Sequence, residues 1–327
     1  MILDVARHKF FEGLITLAIT ALLMTVAVLL LPERIVPQAA GEVTPISAWL
    51  LSFGNSHPTI STLLSLPLFF YAVLRLAQAT TRTSLYHTNT MASISLGGLA
   101  IAATCVHGNY LQLITVAILT ATAIANMCYI FRPTMRPHRL FMMSIALGTL
   151  TIIDGVLTLP TLIIIILTIA MRSALRETLI IAVGYLLPIF AYFYISWFCG
   201  VSLDDAWQSI ASSIITSELT QLDGYLDLPR IILFGMMLIF QCVSSALYIR
   251  ERLSLSMSAR HVWTIAQAIT VILILMILLM PTTSLTPFVV VSIIISTMIP
   301  MLFQHAGITI SAILYMLFLV ISIVAIF

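Results

Sequence analysis

This sequence predicts an all-α fold, a polytopic transmembrane helical bundle of about eleven spans with its amino terminus in the cytoplasm. Three observations lead there. Of 327 residues, 61% are hydrophobic and 8% charged, a composition that excludes a soluble globular domain. Apolar runs of roughly bilayer length follow one another along the whole chain. Arg7, Lys9, Arg75, Arg82, Arg132, Arg136, Arg139, Arg172, Arg176, Arg250, Arg252 and Arg260 fall in alternate loops, and Arg34 and Arg230 alone fall in the others. Because positive flanks stay inside during insertion, that bias sets the orientation. The acids Glu33, Glu42, Asp154, Asp204, Asp205, Glu218, Asp223 and Asp227 lie on the opposite, outer side.

The first run, residues 10–31, follows a basic head. It is too long for a signal-peptide core and lacks a small-residue cleavage site, so it reads as an uncleaved anchor. In the outer segment that follows, Ile46, Trp49, Leu50 and Phe53 share a helical face, which predicts a short helix lying in the interface. Residues 58–76 return to an inner loop carrying Arg75, Arg82 and His87.

Two hairpins follow, residues 89–131 with the tip His107-Gly108-Asn109, and residues 139–177 with Asp154 at the closed end. In the second, residues 140–157 and 159–171 are just long enough to span, or slightly short. SIALGTLTI at 144–152 repeats SISLGGLAI at 93–101. The match reads as an internal repeat or as the shared small alphabet of apolar helices. If it is a repeat, Gly97, Gly98 and Gly148 mark close helix contacts, since small residues let backbones approach in a membrane.

Residues 179–198 form an aromatic-rich span that Pro188 is expected to bend. In the long outer loop after it, Trp207, Ile210 and Ile214 recur at helical spacing opposite serines, predicting a second surface-lying helix or one packed on a partner. Residues 231–249 cross back, and runs at 262–280, 288–303 and 308–327 follow, with Pro300 shortening the middle one. The chain is thus one integral-membrane domain in four stretches: 1–88, 89–177, 178–249 and 250–327. Cys105, Cys128, Cys199 and Cys242 sit singly in apolar runs and read as buried small hydrophobes.

No Walker loop, dinucleotide fingerprint, zinc-type His-Glu spacing or serine elbow occurs in the sequence. The candidate chemistry is a set of outer-side polar residues. Glu33, Glu42 and Asp154 are candidate catalytic groups, able to accept a proton or hold a divalent cation. Arg34, His107, Asn109, Asp204 and Asp205 are candidate substrate-binding groups, and Trp207, Ile210 and Ile214 a candidate partner-binding face. Each has a structural alternative: Glu33 with Arg34 as a surface pair, Asp154-Gly155 and His107-Gly108-Asn109 as turns, Asp204-Asp205 as favourable charges at a helix start. Gln112, Asn126, Gln241 and Gln267 lie within spans, where interhelical hydrogen bonding is the commoner role. Cofactor, metal and substrate are not written in the sequence.

The stretch 172–197, with Arg172, Arg176 and Glu177 leading into a helix carrying Gly184, Pro188 and clustered tyrosines, resembles the central segment of an uncharacterised bacterial family of polytopic inner-membrane proteins. The likeness covers roughly residues 74–197 and implies no particular activity. The hairpin layout also resembles the membrane core of GT-C-type glycosyltransferases, which use polyprenyl-phosphate sugar donors. That resemblance implies an acidic residue in the first outer loop, where this chain offers Glu33 and Glu42 but no aspartate.

The expected function is cell-envelope biogenesis in a bacterial inner membrane, as a non-catalytic membrane subunit of an assembly or export complex. A GT-C-like transferase and a lipid or solute transporter are the alternatives. The expected partners are membrane lipid and a protein on the outer face, with no nucleic acid.

Overall fold

A computed structural model describes residues 10–30, 44–83, 85–86, 90–105, 110–132, 137–172, 174–214, 227–279 and 285–327. Its described elements are helices: α1 (Phe10–Leu30), α2 (Pro45–Ser56), α3 (Pro58–Arg82), α4 (Ala92–Thr104), α5 (Tyr110–Ile130), α6 (Pro137–Ile153), α7 (Thr158–Arg172), α8 (Leu175–Phe198), α9 (Leu203–Ile214), α10 (Leu228–Glu251), α11 (Met257–Leu279), α12 (Thr286–Met298), α13 (Pro300–His305) and α14 (Ile308–Ile326). A 3-10 turn, Gly155–Leu157, joins α6 to α7. Among the described residues nine stretches are long and apolar enough to cross a membrane, α12 and α13 together making one of them, Thr286–His305. About eleven spans were expected; the two further apolar helices, α4 and α6, have 13 and 17 residues.

Burial explains how α4 tolerates its length. At 1.5 Å per residue it is roughly 20 Å long, short of the hydrocarbon thickness. All its residues are buried, so protein and not lipid surrounds its ends. The same holds for α12, every residue of which is buried. These two helices pack on each other at the centre of the bundle, with α1, α3 and α14 against α4, and α5, α10 and α11 against α12. Where they meet, a Cβ added to Gly97 would lie 3.5 Å from Ser296 Oγ, so small residues face each other across the contact.

The helices do not pack mainly as sequential hairpins. α3 lies along α5, α5 along α6, and α6 along α8. The two copies of the sequence repeat therefore occupy unlike places, α4 enclosed on all sides and α6 with residues such as Met142 exposed. Gly98 and Gly148 nevertheless mark close contacts as expected, while Gly97 meets ordinary ones. A Cβ on Gly98 would meet Leu17 Cδ1 of α1 at 2.7 Å, and one on Gly148 would overlap the backbone carbonyl of Tyr185 in α8. From the other side, a Cβ on Gly184 would lie 2.9 Å from Ser144 Cβ and 3.1 Å from the Phe141 carbonyl. α6 and α8 thus touch backbone to backbone, and α8 continues as one helix through Pro188.

The sites differ in what can give way. A methyl at Gly148 meets backbone, whereas one at Gly97 meets ordinary contacts. Gly148→Ala is expected to lower stability by about 1–3 kcal/mol, and Gly97→Ala to change it little, read as thermal unfolding in detergent. Equal melting of the two variants would contradict the close α6–α8 contact.

Candidate functional site

The two ends of the bundle differ in charge. α3, α5 and α7 finish, and α6 and α11 begin, at an end that carries Arg82, Arg132, Arg139, Arg172 and Arg260. The other end gathers Asp154, Asp204, Asp205 and Asp227. Most site residues predicted from the sequence belong to this acidic end. Glu33, Arg34, Glu42, His107 and Asn109 lie outside the described residues.

Asp154 is buried, at 8% exposure, between α6 and the 3-10 turn. Its backbone is extended, and its Oδ1 caps that turn by accepting from the Val156 N–H at 3.0 Å. Its Oδ2 accepts a hydrogen bond from the Thr286 hydroxyl at the start of α12. A carboxylate so placed binds the hairpin tip to the central helix, and its charge sits at the favourable, amino-terminal end of α12. The turn role expected of Asp154-Gly155 is present, and Thr286 is a partner that the sequence reading missed. A Thr-Pro pair opening an apolar run was the available signal.

Two surface helices flank this tip. At the start of α2, Thr44 Oγ1 donates to the Ile153 carbonyl at 2.7 Å, and Ser47 Oγ accepts from Gln112 Nε2 of α5. The face expected for α2 is partly corrected, because Leu50 turns into the protein while Trp49, stacked on Phe53 at 6.0 Å, is 63% exposed. On the other flank, α9 packs on the 3-10 turn. Asp204 and Asp205 are exposed in its first turn. Ser202 caps it, accepting from the Asp205 N–H at 3.0 Å and donating to Asp205 Oδ2 at 2.6 Å, so the helix-start role is in place. Ala206 and Ile210 are buried with Ile152 and Tyr192. Trp207 is 61% exposed and stacks on Phe193 of α8 at 6.3 Å. Ile214 is the last residue of α9. Of the predicted docking trio, Ile210 therefore packs on the chain's own helices, and Trp207 faces outward.

Arg230, which the sequence reading noted only for standing on the acidic side, is 6% exposed in the first turn of α10. Its Nε donates to the Ala103 carbonyl at 3.4 Å, near the end of α4, where orphan carbonyls favour a cation. Nη1 lies 3.7 Å from Asp227 Oδ2. The guanidinium borders a cleft of about 370 Å³ lined also by Pro229, Ile323, Val324, Ala325 and Phe327. Burial beside it pushes the Cys105 thiol up to about 12, with the Arg230 charge opposing. Inside the bundle, an apolar cavity of about 30 Å³ between α5, α6, α7, α11 and α12 has room for little more than a water.

The span amides act mainly between helices. Asn126 Oδ1 accepts from Arg139 at 3.1 Å, and Gln241 Nε2 reaches Met298 Sδ of α12 at 2.9 Å. Among the described residues no three His, Cys, Asp or Glu side chains gather as metal ligands. The cysteine expectation is half corrected: Cys105 and Cys128 are buried, Cys199 and Cys242 exposed.

Comparison with protein-family models, curated proteins and solved structures found no match. What stands is a multi-pass helical membrane protein with nine candidate spans.

The cysteines give a check on this end. In the folded protein at pH 8, a maleimide is expected to label Cys199 at the exposed end of α8 and to leave Cys105 unmodified until denaturant is added. Labelling of both at equal rates would contradict the burial of the α4 terminus.

Proposed function

We propose that this chain is the membrane-embedded subunit of a bacterial cell-envelope assembly. In this reading it sits in the inner membrane with its arginine-rich end in the cytoplasm. It docks a protein partner on the outer face through the corner where α8 meets α9. The aromatic surface of that corner supports the reading. Phe190, Tyr194, Trp197 and Phe198 of α8 are 65%, 65%, 60% and 79% exposed, and Trp207 of α9 adds a fifth ring. Only 22% of the α8 window is buried, the smallest share among the nine candidate spans. Lipid alone is satisfied by aliphatic side chains, whereas tryptophan and tyrosine concentrate at headgroup level and in protein interfaces.

The corner is also rigid. Ile210 and Ala206 pin α9 to Ile152 and Tyr192, and the Gly148–Gly184 contact pins α8 to α6. A docking surface held in place beforehand loses less conformational freedom on binding. Trp207→Ser combined with Phe198→Ser is expected to abolish recovery of a stoichiometric partner from native membranes while leaving the amount of chain unchanged. Recovery of the same partner in equal yield would sink the docking role.

One observation favours a second reading, a transferase acting on a polyprenyl-linked donor. The cleft at Arg230 puts a largely desolvated guanidinium beside apolar side chains near the end of α14, a setting suited to a lipid-borne phosphate. Glu33, Glu42 or Asp154 would then supply the carboxylate. On this reading Arg230→Gln lowers the polyprenyl phosphate that co-purifies with the chain, and Glu33→Ala, Glu42→Ala or Asp154→Ala stops turnover without loss of protein. Unchanged lipid in the Arg230 variant removes the reading.

A further inference from the structure

The basic end holds a cluster that neither the acidic-end site nor the docking corner uses. α5 ends in Tyr129 and Ile130, and the ring of the next residue, Phe131, is approached from two helices. From α7, the Arg172 guanidinium lies 6.0 Å from the ring centroid and donates to the Ile130 carbonyl. From α11, the His261 ring lies 5.0 Å away, centroid to centroid. Arg172, Arg252 and Arg260 are all near enough to His261 to act on it electrostatically. Arg172 and His261 thus meet at the Phe131 ring, where α7 ends and α11 begins, and Arg260 precedes His261 in α11.

Among the described residues two acids, Glu177 and Glu251, are paired at this end. Glu177 lies 3.6 Å from Arg172, and Glu251 is engaged at 2.6 Å with His305. The Nε–H of Arg260 is shielded from solvent and donates to nothing among the described residues. A buried donor left unpaired is destabilising, so the site favours an acceptor. Around the cations stand exposed apolar side chains, Leu175 at 77%, Leu253 at 88% and Met257 at 69%. Arginine donors ringed by aliphatic surface at the end of membrane spans match an amphiphile: phosphate on the cations, chains on the leucines and methionine.

We propose that Arg172, Arg260 and His261, at the junction of α5, α7 and α11, bind the headgroup phosphate of an anionic phospholipid. Arg252 lies at the exposed rim of this site and adds to its charge. The site stands apart from the docking corner at the other end of the bundle, and either can fail without the other. Its function is to hold α7 and α11 at one depth in the charged leaflet.

The test uses the full chain purified in mild detergent, with phosphatidylglycerol and phosphatidylcholine as probes. Native mass spectrometry is expected to show one phosphatidylglycerol retained in preference to phosphatidylcholine. Arg172→Gln with Arg260→Gln should lower that retention about tenfold, whereas Arg176→Gln with Arg250→Gln, equal in charge removed but placed on exposed residues, should not. Equal loss in both double variants would show general charge attraction and overturn the site. Should the first double variant fail to fold, the wild-type chain decides: its melting temperature should rise more with phosphatidylglycerol than with phosphatidylcholine at fixed ionic strength, and no difference overturns the proposal. Release of the bound lipid by millimolar inorganic phosphate would assign the site to free phosphate and overturn the lipid.

Discussion

Two helices of this bundle are surrounded by protein, and the rest is arranged around them. α4 and α12 bury all of their residues and lie against each other through Gly97 and Ser296. In a membrane, apolar surface has no preference for protein over lipid, so enclosure must come from close packing and from hydrogen bonds at the helix ends. Both are present. Gly98 admits Leu17 of α1, and α4 is rich in Ala, Ser and Gly, which let neighbouring backbones approach. At the ends of these helices the Ala92 N–H donates to Thr90 Oγ1, and the Ala103 and Thr297 carbonyls accept from Arg230 and Tyr86.

Those end contacts explain why polar residues sit where they do. At the acidic end, Asp154 takes the Thr286 hydroxyl, and Arg230 takes the Ala103 carbonyl, so one acid and one base attach the surrounding helices to the starts and finishes of the central pair. At the basic end, the Tyr86 hydroxyl donates to the Thr297 carbonyl of α12, and burial pushes its pKa upward, keeping it a donor. Trp263 stacks on Tyr248 at 5.2 Å and donates to the Leu85 carbonyl at 3.4 Å, closing α10 and α11 over the same region. Outside this frame lie the features with room for a function: the aromatic corner of α8 and α9, the Arg230 cleft and the arginines around Phe131.

Much of the secondary structure was legible in the sequence, and little of the packing. The apolar run at 10–31 became α1, the run at 308–327 became α14, and the amphipathic stretches around Trp49 and Trp207 became α2 and α9. Composition cannot separate α12 from α14, because Phe288 and Ile293, which face protein, are as apolar as Ile310 and Ile313, which are exposed. The lateral pairing of the helices was hidden for the same reason: nothing in the chain says that α3 should lie along α5 or α6 along α8. Glycines were the exception, since Gly98 and Gly148 marked real close approaches. Of the candidate site residues, Asp154 and Asp205 have the turn and capping contacts their local sequence implied, and Asp204 stands in the first turn of α9. Thr286 and the burial of Arg230 were hidden because both depend on partners more than a hundred residues away.

The attachment of the hairpin tip to the central helix is what ties the acidic end to the enclosed core, and one cross-link examines it directly. Asp154→Cys and Thr286→Cys, introduced together into a chain whose own cysteines are replaced by serine, would be treated in native membranes with a short thiol-reactive cross-linker and mapped by mass spectrometry. Side chains in hydrogen-bond contact lie within the reach of such a reagent, so a link joining the two positions in high yield is the expected result. Recovery of the folded chain with both thiols free would contradict the placement of α12 against the tip, and with it the arrangement of the bundle around its two buried helices.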